Sequence, residues 1–481
     1  MQLIIPRQRI STCHEALSLF IGLANTASRR IGRCTQCRHN SSAYQKAPTV
    51  NLLGKSYNKD SWYNIPATIQ GVLDRRLHVQ PDHPIAITRS IIESKFPSPT
   101  YKYHNTFSPI VTTQQNFDSL GFPLDHPGRS KTDTYYVNEN TVLRTHTSAH
   151  QADVFRANES EGYLISADVY RRDAIDRSHY PVFHQMEGAR MWDRNTVPEG
   201  DITAAVWKDI AALPTHDMII EDPNPQTHPV RNPLQRDHAR EEAEAIAAHL
   251  KRSLELMVVD IFSRAKRAST TTESAEPLRV RWIEAFFPFT SPSWEMEIHW
   301  QGDWLEVLGC GVVKQDILKN ADVPDQLGWA FGIGLERIAM LLFDIPDIRL
   351  FWSKDERFLG QFRGLSGNMD GLRRFTPFSK YPVCYKDVAF WLPASSSVAG
   401  RDTAPEFHEN DLMEIVRGIA GDSVEDVQLI DQFTNQKTGR KSMCYRINYR
   451  SLERTMRNKE ANELQAMIEK EMVEKLGIEV R

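Results

Sequence analysis

The spacing of apolar and polar positions changes several times along the chain, and each change marks an element. Over 110–192, short apolar runs such as Tyr135-Tyr136-Val137 and the stretch 163–170 alternate with polar turns and predict strands. Over 233–267 the period lengthens. Acids and alanines lead, and Ile246, Leu250, Leu254 and Met257 recur at helical spacing, which predicts a long amphipathic packing helix. Pro-rich and polar stretches at 213–233 and 269–276 bracket that helix like an insertion. Strand signals return over 279–313, with the run Phe286-Phe287-Pro288-Phe289 among them, and 327–343 predicts a glycine-punctuated helix. Arg144-Thr145-His146-Thr147-Ser148-Ala149-His150 predicts a polar strand.

After the glycine-rich stretch 360–371 a new unit is expected near Thr376. It runs as strand 383–392, helix 410–419 stopped by Gly421, strands 424–433 and 443–450 about the turn at Gly439, helix 458–476, and a short last strand. That order is a ferredoxin-like, or split βαβ, arrangement, and the chain as a whole belongs to the α+β class. No internal repeat is visible.

Composition narrows the classes. A chain of 481 residues predicts about three structural units. With 41% hydrophobic and 25% charged residues it is no disordered chain, collagen-like repeat or disulfide-dense mini-domain. No apolar run approaches the roughly 20 residues that span a bilayer, so no membrane insertion is expected. The formal net charge of −4 argues against a nucleic-acid partner only as an average.

Two segments depart from that average. Residues 1–45 hold six arginines, one acid (Glu15) and frequent Ser and Thr, the composition of a mitochondrial transit peptide. A secretory signal with 16–24 as its apolar core is the alternative; arginines on both sides of that core favour the mitochondrial matrix. Removing six positive charges and one negative takes the net charge from −4 to near −9. Cys34 and Cys37 form a C-x-x-C with no second pair to complete four ligands, so no zinc is expected. The other segment is 436–459, with eight basic residues against the single acid Glu453. Along its strand Tyr445, Ile447 and Tyr449 share one face while Arg446, Asn448 and Arg450 share the other. The bland alternative is a solvated edge with the tyrosines in a core.

The candidate chemistry begins at 168–188. Arg171 ends a strand, a polar loop carries Arg172 and His179, and a return strand alternates Gln185 with Glu187 on one face. A solvated hairpin would account for one arginine. It accounts less well for a cation, an amide and a carboxylate placed to hold both ends of a zwitterion. Phe331-Gly332-Ile333-Gly334-Leu335-Glu336-Arg337 places glycines before a helix with Arg337 in its first turn. There is no P-loop, so a bound nucleotide would be gripped by arginines instead.

These residues resemble a known family. The arginine hairpin looks like motif 2 of class II aminoacyl-tRNA synthetases, 332–337 looks like motif 3, and the region of Asn116-Phe117-Asp118 through Asp125-His126-Pro127-Gly128-Arg129 looks like motif 1. The stretch 144–150, Phe183-His184-Gln185-Met186-Glu187-Gly188 and Phe287-Pro288-Phe289 narrow the resemblance to the phenylalanyl-tRNA synthetases, in their monomeric mitochondrial type. The resemblance implies an antiparallel-sheet catalytic domain at 46–375, with an insertion-like helical segment at 195–278. A ferredoxin-like anticodon-binding domain follows at 376–481, and a transit peptide precedes both at 1–45.

It further implies a monomer that activates phenylalanine with ATP and Mg²⁺, then transfers it to the terminal ribose of tRNA(Phe). Arg171 would hold the carboxylate and α-phosphate, and Arg337 the γ-phosphate. His179 and Glu336 would join them at ATP, with Glu306 as a magnesium ligand. His146, Ser148, Gln185 and Glu187 would take the amino acid's polar end, with Phe287, Phe289 and Ala330 around its ring. Lys437, Arg440, Lys441, Arg446, Arg450, Arg454 and Arg457 would face tRNA phosphates. A non-catalytic RNA-binding paralogue is the alternative; it would be expected to lose Arg171 and Arg337, which are both present.

Overall fold

The computed structural model describes residues 48–268, 277–378, 381–393 and 407–481. The segment expected to be a transit peptide, with Cys13, Cys34 and Cys37, lies outside the described residues. Residues 47–481 pack as one unit.

Eight strands form the main sheet: β1 (Tyr101–His104), β2 (Gly162–Tyr170), β3 (Val182–Asp193), β4 (Ile219–Glu221), β5 (Arg279–Glu284), β6 (Thr290–Trp300), β7 (Asp303–Val313) and β8 (Gln326–Gly334). Their spatial order is β1-β2-β3-β8-β7-β6-β5-β4. Every neighbouring pair from β2 across to β5 is antiparallel, and only the edge strands β1 and β4 pair in parallel. The alternating apolar runs of the sequence supply the side chains of its two faces.

The region expected as one helix over 327–343 is instead β8 followed by a helix. Leu327, Trp329, Phe331 and Ile333 are all buried at a spacing of two, so the strand period governs. Of the glycines that suggested a punctuated helix, Gly328 serves close strand packing, whereas a Cβ on Gly332 or Gly334 would meet nothing within 4 Å. A Cβ on Gly328 would stand 2.0 Å from the Arg190 carbonyl oxygen on β3. The residues 144–150, expected as a strand, lie mostly past the end of one: a strand closes at Leu143, and Thr147–His150 forms a 3-10 turn.

Helices α1 (Pro84–Glu93), α2 (Ile202–Ala212), α3 (Arg240–Ala268) and α4 (Leu335–Phe343) accompany this sheet. Helix α3 starts seven residues after the predicted position, because residues around Pro233 form a turn closed by the His228–Asn232 bridge. Glu241 and Glu242 in its first turn and Lys266 and Arg267 in its last suit the helix dipole. Ile246, Leu250, Leu254 and Met257 are fully buried. Indole N–H groups of the sheet donate to this helix, Trp329 to His249 at 3.0 Å and Trp282 to Glu255 at 3.1 Å. The segment 195–278 therefore contributes core, and β4 extends the sheet edge. It is more than a helical appendage.

The C-terminal elements are β9 (Cys384–Trp391), α5 (Glu409–Ala420), β10 (Val424–Thr434), β11 (Lys441–Tyr449), α6 (Asn458–Leu476) and β12 (Glu479–Val480). They form an antiparallel sheet in the order β10-β11-β9-β12. Tyr445, Ile447 and Tyr449 are buried against Leu412, Val416, Ile468 and Met472. The tyrosine face is thus the core face.

This domain rests on the loop between β2 and β3. The Tyr180 hydroxyl donates to Asp422 at 3.0 Å, Arg172 pairs with Asp411 at 2.9 Å, and Arg177 with Glu425 at 2.5 Å. Ile175 from that loop is buried in the C-terminal core. Arg349 donates to the carbonyls of Asp422, Val424 and Arg450 at 2.8, 2.9 and 3.0 Å. No helix among the described residues is long and apolar enough to cross a membrane.

Candidate active site

A cavity of about 600 Å³ opens over the middle of the main sheet. The β2–β3 hairpin, β7, β8 and the start of α4 line it, together with the turn joining β5 to β6. It gathers Arg171, His179, Gln185, Glu187, His146, Ser148, Phe287, Phe289, Ala330, Glu306, Glu336 and Arg337, residues separated by up to 191 positions in sequence.

One end is apolar. The rings of Phe287 and Phe289 stack with centroids 5.9 Å apart, and Phe122 stacks on His146 at 5.5 Å. The backbone approaches closely here: a Cβ on Gly309 would stand 2.6 Å from the Phe287 ring. Ala330 sits between Gly311 on β7 and Ala189 on β3, so small residues flank it on both neighbouring strands.

Beside the rings lie polar groups that burial has stripped of water. Glu187 accepts a hydrogen bond from the Tyr163 hydroxyl at 2.8 Å and another from Ser148. Burial pushes the Glu187 carboxyl up to about 7, against the pull of those two donors. Burial also lowers His146 to about 3, so its imidazole is neutral at ordinary pH. Both ring nitrogens of His146 lack a partner in the protein, and so do both amide atoms of buried Gln151 on the same wall. Buried polar groups left unpaired are costly unless a ligand completes them. Gln151 belongs to no short motif, and the sequence alone did not single it out.

The other end is cationic. Arg171 donates its Nε–H to the Thr145 carbonyl at 2.8 Å, and its guanidinium lies over the Phe183 ring, 5.3 Å from the centroid. That one bond fixes the plane and leaves the remaining N–H groups for the cavity. Arg337 is half exposed and donates to the Glu306 carbonyl at 2.9 Å. His179 pairs with Asp176 at 2.7 Å, and this hydrogen bond holds the imidazole above its usual range. Asp176 also accepts from the backbone of Ser178 and His179 at 2.6 and 2.8 Å, which shapes the loop.

Two expectations change. Glu336, assigned with ATP, directs its carboxylate to His184 on β3 and is buried, so it braces the start of α4. The basic run 436–459 is largely neutralised by acids from elsewhere in the chain. Arg440 pairs with Glu479, Arg446 with Asp387, Arg450 with Glu425 and Arg454 with Glu460. Lys437 and Arg457 remain exposed, with Lys441 half-buried. Arg450, whose carbonyl accepts from Arg349, sits at the seam between the domains rather than on an open face.

Comparison with known proteins agrees with this architecture. A profile described as "tRNA synthetases class II core domain (F)" matches residues 68–206 and 249–362, leaving 207–248 unmatched. A "Ferredoxin-fold anticodon binding domain" profile matches 379–481. The mitochondrial phenylalanine–tRNA ligase of Saccharomyces cerevisiae is 48% identical over 91% of this chain and 96% of its own. That of Mus musculus is 41% identical over 92% and 91%, and the chloroplastic/mitochondrial one of Arabidopsis thaliana is 44% identical over 88% and 83%.

Proposed function

The chain belongs to the phenylalanine–tRNA ligase family of class II aminoacyl-tRNA synthetases, and from that premise we propose how its cavity activates phenylalanine for transfer to tRNA(Phe). The observation that carries the reading is one cavity with a buried carboxylate and stacked phenyl rings at one end and two arginines at the other.

Phenylalanine lies with its ring between Phe287, Phe289 and Ala330. Edge-to-face ring contacts contribute about 0.5–1.5 kcal/mol beyond burial. Its ammonium meets Glu187, with Ser148, Gln185, Gln151 and neutral His146 around it. Arg171 holds the amino-acid carboxylate against the α-phosphate of ATP, where negative charge develops as the adenylate forms. A planar fork that stays charged suits that task. Arg337 takes the far phosphates, and His179, whose proton the Asp176 hydrogen bond helps to hold, approaches them from the loop. Little covalent help from the protein is required; in-line placement carries the reaction.

Mg²⁺ fits the carboxylates present. Glu295 and Glu306 line the cavity together, and after burial the charge of Glu306 contributes to pushing the Glu295 carboxyl up, a repulsion that a hard cation relieves. Among the described residues no three acidic, His or Cys side chains group as a metal cage. One or two carboxylates with substrate phosphates would therefore hold the ion, which neutralises phosphate charge.

We assign 46–375 to catalysis and 376–481 to anticodon binding, in a protein that works as a monomer in the mitochondrial matrix. Lys437, Lys441 and Arg457 are the best candidates for RNA phosphates. Amino-acid-dependent ATP–pyrophosphate exchange with phenylalanine, tyrosine and histidine tests the reading. Exchange should be fastest with phenylalanine and fall at least about 100-fold in Arg171→Lys, which keeps charge but loses the fork. A non-catalytic RNA-binding protein would show no exchange with any of them.

A further inference from the structure

Glu187 is the one fully buried carboxylate at the amino-acid end of the cavity, and two hydroxyls hold it. Ser148 donates to Oε2 and Tyr163 donates to Oε1, the latter at 2.8 Å. Tyr163 is 3% exposed on β2, where it pairs with Ala189 of the neighbouring β3, two residues from Glu187. One phenol oxygen therefore stands behind the carboxylate that faces the cavity. The Tyr163 ring is itself fixed, with Phe155 set edge-on at 5.4 Å.

Resting on the reading that Glu187 takes the ammonium of phenylalanine, we propose that Tyr163 is a positioning residue for amino-acid recognition. Its O–H fixes the carboxylate plane and favours the ionised form. Two donors on a carboxylate favour its charged state, whereas burial opposes it. Loss of either donor leaves the group protonated over more of the neutral range. No charged side chain offsets this locally. Tyr163 comes from β2, Ser148 and Gln151 from the turn at 147–151, neutral His146 precedes that turn, and Gly332 lies opposite Glu187 on β8. The other charged or titratable groups of the cavity, His126, Arg171, Asp173, His179, Glu295, Glu306, Glu336 and Arg337, line its remaining walls.

Phenylalanine-dependent pyrophosphate exchange of the full-length protein, followed from pH 5.5 to 9, tests this. Tyr163→Phe should raise the KM for phenylalanine on the order of tenfold and leave the KM for ATP unchanged. It should also move the acid limb of kcat/KM for phenylalanine upward by about one pH unit. Glu187→Gln should raise the same KM and abolish the limb. Phe155→Leu loosens the Tyr163 ring but keeps its hydroxyl, so the limb should stay in place. If Glu187→Gln leaves the KM for phenylalanine unchanged, the ammonium reading itself fails. If Glu187→Gln behaves as expected while Tyr163→Phe keeps the wild-type limb, that reading stands and Tyr163 has no positioning role. A limb that moves equally in Phe155→Leu would reduce Tyr163 to packing and overturn the proposal.

Discussion

Glu336 accepts hydrogen bonds from both the backbone N–H and the ring Nδ1–H of His184, at 2.7 and 2.6 Å, with both residues buried. The first turn of the motif 3 helix is thereby pinned to the return strand of the motif 2 hairpin, and Arg337 is aimed by that brace. Glu336→Ala should lower unfolding free energy by roughly 2–4 kcal/mol, because two buried donors lose their acceptor. Glu336→Gln keeps an acceptor for the N–H and should lose less. Urea denaturation measures both. An alanine variant as stable as the wild type would show that the brace contributes nothing.

On the proposed reading the para edge of the substrate ring meets Ala330, which Gly311 and Ala189 flank on the neighbouring strands. Ala330→Gly should admit para-substituted phenylalanines in pyrophosphate exchange. On that reading, rejection of tyrosine by the wild type rests on burying its hydroxyl without a partner, at about 1–3 kcal/mol. Tyrosine activation should therefore be measurable, with discrimination well below ~10⁵. Unchanged analogue activation in the glycine variant would place the pocket elsewhere.

Burial lowers His78, His83, His146 and His150 to about 3 each. A histidine depressed in the folded state binds its proton more readily when unfolded, so stability present above about pH 6.5 is lost as the pH falls toward 3. Unfolding in that window should take up as many as four protons from this group. Each would contribute a slope of about 1.4 kcal/mol per pH unit where it is fully protonated only in the unfolded chain. Denaturant midpoints measured from pH 4 to 8 check the sign: a midpoint that rises on acidification contradicts it.

Arg349 is buried, paired with Asp347 at 2.7 Å, and spans to three carbonyls of the C-terminal domain. Arg349→Leu strands Asp347 and should cost about 3–5 kcal/mol. Calorimetry should then resolve separate melting of the catalytic and anticodon-binding domains. A single transition at the wild-type temperature would show that the seam is held by other contacts.

Much of this was legible from local signals. Helix α6 spans the predicted 458–476, and the other C-terminal elements fall within about two residues of their expected ends, because alternating apolar runs and stopping glycines are local. Arg171, Gln185, Glu187 and Arg337 announce themselves by spacing and residue type. What failed was long-range. Gly328 looked like helix punctuation, yet its role is to let β3 approach β8 across 137 residues of sequence. The basic run looked open because Asp387, Glu425 and Glu479, which neutralise it, lie on other strands. Gln151 carries no motif and becomes informative only when the fold buries it with no partner.

The close approach of Gly309 to the Phe287 ring has a consequence for how selectivity can change. Gly309 has no side chain, so the Phe287 ring seats directly on the β7 backbone, and how far that ring reaches into the cavity is set by the sheet itself. On the proposed reading, substrates near the right size are measured between that ring and Ala330, the small residue that serves as the stop. Altered specificity should therefore arise in single discrete steps at that stop.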